Sequence, residues 1–309
     1  MRRRYLCGAL VGVIATAAAL SAAAGQAATH SSMKLAKPSV MRVFKGKPAR
    51  TTRISNLSYH GGVGGIGVET APKLYLVVWG SQWGTSGSND PSGEVGILQR
   101  FYGDVGGSKW LGSVTQYCQG VASGTVTCGP SGQHAGNPGG ILAGIWFDNA
   151  AAAPSSPSQT QLAAEAVKAA GQFHNTTSNS NASAQYVVAT AHNNNASGFG
   201  TSYCAWHSST SSSYGNVAYT NLPYMTDAGA SCGANFNGLG ATAGVTIVGG
   251  HEMAETITDQ FPNAGWLDRS GEENGDKCAW NVATAREAMG GTSFPVQPLW
   301  SNASSGCVQ

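Results

Sequence analysis

Apolar positions along the chain fall into a few runs whose order predicts an α/β fold. Lys73-Leu74-Tyr75-Leu76-Val77-Val78-Trp79 is a continuous run of β-formers bounded by Pro72 and Gly80, the pattern of a strand buried on both faces. From Ser92 to Tyr102 the spacing turns helical, with Val95, Leu98 and Phe101/Tyr102 on one side. Ile141 to Phe147 (ILAGIWF) reads as a second buried strand. Ser156 to His174 reads as an amphipathic helix with a Ser/Thr-rich start, and Gln185 to Thr190 as a third strand. Ser113 to Cys128, punctuated by Gly120 and Gly124, reads as a hairpin, and Asn193 to Gly215 as a polar loop carrying Tyr203-Cys204-Ala205-Trp206-His207. The nearly all-apolar Ala241 to Val248 then leads into a last helix. Strands alternating with helices predict a single α/β (α+β) domain, helices packed on a mixed sheet, and no internal repeat is present.

Charge divides the chain where the pattern does. Residues 1–54 hold ten Lys/Arg and no acid, whereas residues 55–309 hold seven Lys/Arg and 15 Asp/Glu. Arg2-Arg3-Arg4 followed by an Ala/Leu/Val run and small residues at Ala22, Ala24 and Ala27 reads as a secretory signal peptide over 1–28, too short in its apolar part for stable membrane insertion. Residues 29–54 are a basic flexible tail or a short pro-segment that covers an acidic site until removed, and 55–309 is the secreted domain. An acidic body repels phosphate, which excludes nucleic acid as partner. With Cys7 in the signal, six cysteines remain, an even number suited to an oxidising, extracellular compartment. Nearest-neighbour pairing joins 118–128, 204–232 and 278–307, and no CxxC suggests a thiolate zinc site.

Chemistry concentrates in Gly249-Gly250-His251-Glu252-Met253-Ala254-Glu255-Thr256-Ile257-Thr258-Asp259. On a helix His251, Glu255 and Asp259 line one face, so an imidazole and a carboxylate one turn apart can clamp one metal ion while Glu252 deprotonates a bound water. Seven of the 15 acidic residues lie between Glu252 and Asp276. A solvated acidic face or a calcium loop would also produce such a cluster, but the apolar run before His251 points to burial, and buried carboxylates need a cation. Catalytic zinc takes three protein ligands. For the third, Asp276 ranks first, in a turn that Cys278 could hold rigid; Glu273 follows, then Asp268, with Glu272 also within reach. His60 and His207 could steady an oxyanion or add a ligand, though a lone loop histidine is more often structural.

From Leu57 to Cys307 the chain resembles the secreted phosphate-induced/EXORDIUM-like proteins of plants and their microbial relatives. The resemblance rests on LSYHGG at 57–62, LYLVVWG at 74–80, CAWH at 204–207, GHEMAETITD at 250–259, NAGWLD at 263–268, EENGDKC at 272–278 and PLWSNASSGC at 298–307. It implies an extracellular or cell-wall location; many plant members lack a complete HExxE, so it does not by itself imply an enzyme. GHEMAETITD is also similar to the zincin active-site helix of thermolysin-like peptidases. That likeness implies His251 and Glu255 as metal ligands, Glu252 as general base and Asp259 as the group that steadies a liganding histidine. Glu255 stands where those enzymes have a second His, which makes the site more anionic.

The expectation is therefore a secreted, monomeric zinc metallopeptidase, an endopeptidase acting on peptide or protein substrates. Zn2+ would be held by His251, Glu255 and Asp276, with Glu252 catalytic and Ca2+ conceivable as a structural ion. The alternatives are a noncatalytic extracellular binding or signalling protein, and a glycan hydrolase using Glu252 and Glu273 as paired carboxylates.

Overall fold

The structure, a computed structural model, describes residues 33–47 and 55–309; the signal peptide read over 1–28 and the remainder of the basic segment lie outside the described residues. The main sheet has six strands: β1 Ser39–Arg42, β2 Lys73–Trp79, β3 Leu142–Asp148, β4 Ala184–Thr190, β5 Tyr203–Ser212 and β6 Gly215–Leu222. Their spatial order is β1-β5-β6-β4-β2-β3. Neighbours from β6 to β3 run parallel, whereas β5 is antiparallel to β6 and β1 antiparallel to β5, so the sheet is mixed as expected.

Helices cover both faces. Alternate residues of β2 point opposite ways, which splits the core in two. Leu74, Leu76 and Val78 pack with α1 (Glu94–Asp104) and α3 (Ala243–Thr258), while Tyr75 and Val77 pack with α2 (Gln159–Gln172). α1 buries Val95, Leu98, Phe101 and Tyr102, and α2 starts with a Ser158/Gln161 capping box. All sixteen residues of α3 are buried, so it is a core helix and not an amphipathic surface one. Gly249 and Gly250 allow this: a Cβ at Gly249 would meet the Tyr102 hydroxyl at 2.8 Å, and one at Gly250 would meet Phe101 at 3.1 Å and Trp110 at 3.2 Å.

All three cysteine pairs form as expected, Cys118–Cys128, Cys204–Cys232 and Cys278–Cys307. Several local expectations do not hold. Residues 113–128 are not a hairpin: Ser113–Gln116 is a 3-10 turn, Cys118–Gln119 pairs with Gln133–His134, and the disulfide closes the loop between them. β3, read as fully buried, is the half-buried sheet edge. The second half of the expected loop from 193 to 215 is instead β5, polar in composition yet largely buried, because most of its polar groups find partners inside; Ser208, for instance, donates to the Ala36 carbonyl. β6, which the sequence reading missed, returns antiparallel to β5 through a turn ending at Gly215, whose φ of 90° suits glycine. The described part of the basic segment is not a loose tail: β1 pairs with β5, Met41 is fully buried, and the Trp280 indole donates to the Arg42 carbonyl. Among the described residues no helix is long and apolar enough to cross a membrane.

Candidate metal centre

α3 carries His251, Glu252 and Glu255 into the core, where exposure of each is at most 1 %. The i, i+4 spacing works as the helix geometry requires: His251 Nε2 lies 3.0 Å from Glu255 Oε1. A turn beginning at Gly275 closes over them, bringing Asp276 Oδ1 to 3.8 Å from the same nitrogen while the Asp276 backbone N–H donates to Glu255 Oε1 at 2.8 Å. The three donor atoms of His251, Glu255 and Asp276 lie within 4.8 Å of one another. Asp276 alone of the three is open, about a fifth exposed, on the wall of a cavity of about 450 Å³ that Ser39, Arg42, Glu272 and Trp280 also line.

His207 joins them from β5. Its register partner across the sheet is Ser39, and its Nε2 lies 3.0 Å from Glu273 Oε2 and 3.6 Å from Glu255 Oε2. The Ser39 hydroxyl donates to the same Glu273 oxygen. His207, Glu252 and Glu255 form a second group of donor atoms within 4.8 Å. Both carboxylate oxygens of Glu252 are buried without a hydrogen-bond partner, as are Glu255 Oε2 and Glu273 Oε1.

Such a set of carboxylates is electrostatically costly on its own. Burial, reinforced by one another's charge, pushes Glu255 well above the ordinary carboxylate range; burial does the same to Glu252, although the His251 imidazole opposes it. Glu273 is pushed up to about 8 by burial and the Asp276 charge, against the pull of the Ser39 hydroxyl. Asp276 is also raised by burial, opposed by His251, and burial lowers His207 to about 4. Protons or cations must therefore occupy the cluster at neutral pH.

Other sequence-flagged residues have different duties. Asp259 does not steady a histidine by hydrogen bonding. Its carboxylate caps the turn after α3, accepting from the backbone N–H groups of Asn263 at 2.7 Å, Ala264 at 3.1 Å and Gly265 at 2.5 Å. The partner of His251 Nδ1 is Gln297 Oε1 at 3.2 Å, and Gln297 is itself held by donating to the Gly275 carbonyl at 2.8 Å. Gln297 went unremarked in the sequence, where its one signal is a lone polar side chain in the run Phe294-Pro295-Val296-Gln297-Pro298-Leu299-Trp300. Asp268 is occupied by Lys277 Nζ at 3.0 Å and by the N–H groups of Ser270 and Glu272, which removes it as a ligand candidate. His60 is exposed and donates from Nδ1 to the Ser58 carbonyl, outside either donor group. No protein-family model, curated protein or solved structure matches this chain, so the arrangement of these side chains is the ground on which a functional reading stands.

Proposed function

We propose that the protein is an extracellular zinc-dependent peptidase in which His251, Glu255 and Asp276 hold the metal and Glu252 is the general base. One observation carries the reading: three donor atoms of the right chemistry converge within 4.8 Å, and the next residue on the same helix presents two buried carboxylate oxygens with no partner. Imidazole plus carboxylate oxygens is a donor set zinc accepts, and three protein ligands leave a position open. Zinc bound there would polarise a substrate carbonyl and acidify a water. Glu252, ionised beside the added positive charge, would accept the water proton and hand it to the leaving amine. Gln297 would fix the tautomer of His251 so that Nε2 faces the metal. The three disulfides suit an oxidising compartment.

On the same footing we place the chain with the phosphate-induced/EXORDIUM-like proteins. Three of the segments that carry that resemblance supply this site: CAWH gives His207, GHEMAETITD gives His251, Glu252 and Glu255, and EENGDKC gives Glu273 and Asp276.

A second reading is a structural metal that ties β5, α3 and the turn at Gly275 together, and it is favoured by burial: of the donors only Asp276 reaches the cavity. Zinc content and casein cleavage of the purified protein, beside Glu252→Gln, separate the two. One zinc in both proteins, with cleavage only in the wild type and lost to a chelator, supports the peptidase. Zinc in both without cleavage in either supports the structural metal, and absence of zinc from both rejects both readings.

A further inference from the structure

Glu255 divides its carboxylate between two imidazoles. Oε1 faces His251 Nε2 at 3.0 Å and Oε2 faces His207 Nε2 at 3.6 Å, and the two histidines fall in different donor groups. That is how a carboxylate is placed when it bridges two cations. Charge leads to the same place. Glu252, Glu255, Glu273 and Asp276 surround the two imidazoles, and among the described residues no lysine or arginine pairs with any of them. When all four are ionised, one divalent ion balances half of their charge. The half left over sits around His207, where Glu252 keeps both oxygens unpartnered and Glu273 keeps one.

We propose that His207, Glu252 and the second oxygen of Glu255 form a weaker site for a second divalent cation, and that filling it inhibits the enzyme by engaging the carboxylate of the base. The inference rests on the reading that His251, Glu255 and Asp276 hold the first ion. The two sites fill in order because their surroundings differ. His251 Nδ1 is anchored by Gln297, whereas His207 Nδ1 is buried with no partner, and an imidazole whose far nitrogen is unsupported is the poorer ligand. To ligate, His207 also gives up its contact with Glu273 at 3.0 Å, which weakens the site further.

The test is calorimetric titration of the chelator-stripped full-length protein with ZnCl2, with peptide cleavage followed over the same zinc range. The wild type should take two equivalents, the second at least tenfold weaker, and cleavage should rise across the first and fall across the second. His207→Gln should take one equivalent at the tight affinity and lose the inhibitory limb. Glu252→Gln, inactive by the reading above, should likewise keep the tight equivalent and lose the weak one. A wild type that binds a single equivalent, or variants that both retain two, would overturn the second site and leave the first intact. No stoichiometric zinc at all would overturn both. The wild-type stoichiometry needs no variant, so a His207→Gln protein that fails to fold leaves the proposal open to refutation.

Discussion

Glu69 gives the sharpest quantitative check on the electrostatics of this interior, away from any candidate metal ligand. Its side chain is fully buried: Oε2 accepts from Gln185 Nε2 at 2.8 Å and Oε1 has no partner. Burial raises the carboxyl from 4.5 to about 8, only partly offset by the Gln185 hydrogen bond. A folded-state value above the unfolded one means that the native protein holds the proton more tightly. The stabilisation is full below about pH 4.5 and is lost as pH rises towards 8. Each pKa unit is worth about 1.4 kcal/mol, so moving from pH 5 to pH 7.5 costs about 3 kcal/mol through this one group, a large share of an ordinary domain's stability. Glu69→Gln keeps the shape and an acceptor for Gln185 but cannot ionise. Urea unfolding of both proteins, chelator present and disulfides intact, should show the variant gaining about 3 kcal/mol on the wild type between pH 5 and pH 7.5, with an unchanged slope in denaturant. A difference that stays flat across that range would refute the reasoning, because it would mean Glu69 is ionised or hydrated in the native state.

Four further outcomes follow from the candidate centre and its supports. Glu252→Gln should lower peptide cleavage by roughly 10² to 10⁴-fold while one zinc per chain survives dialysis. Gln297→Ala removes the acceptor on His251 Nδ1 and should weaken zinc binding by roughly tenfold to a hundredfold, read by competition with a chromogenic chelator. Gly275→Ala should keep the far-UV circular dichroism of the wild type yet lose zinc, since the backbone there (φ −76°) accepts alanine but the new Cβ would lie 2.7 Å from His251 Nδ1 and 2.8 Å from Glu255 Oε1. Replacing both Cys278 and Cys307 by serine opens a loop of sequence separation 29 that begins two residues after Asp276; it should destabilise the protein by about 3 to 4 kcal/mol by denaturant titration.

How much of this was legible in the sequence depends on whether a residue's duty is local. The i, i+4 placement of His251 and Glu255 is a property of one helix and was readable, as were the buried strand at 73–79 and the helix at 159–172. The third member, Asp276, was reachable because it follows the same acidic stretch, 18 residues beyond the helix end at Thr258, and Cys278 pins its turn. His207 was misplaced in a loop because Ser208, Ser209, Thr210 and Ser211 dilute the strand pattern; their burial depends on β1 and β6 alongside, which no local window contains. Ser39 and Gln297 lie 234 and 46 residues from the groups they hold, and nothing in their neighbourhoods announces it.

Asp259 shows why a motif likeness does not by itself assign a role. Its i+8 offset from His251 puts it on the correct face of an ideal helix, yet α3 ends at Thr258 and the backbone turns there. The carboxylate finds three backbone N–H groups of the following turn, those of Asn263, Ala264 and Gly265, before it finds an imidazole. Burial with those donors leaves Asp259 at about 7, raised by burial and by Glu273 and held down by His207 and the turn, so it adds to the negative field at the end of the helix without hydrogen-bonding a candidate metal ligand's ring. The task of orienting His251 then falls to an uncharged side chain. An amide in that place adds no charge to a cluster that already holds four carboxylates, and it still fixes which nitrogen faces the centre.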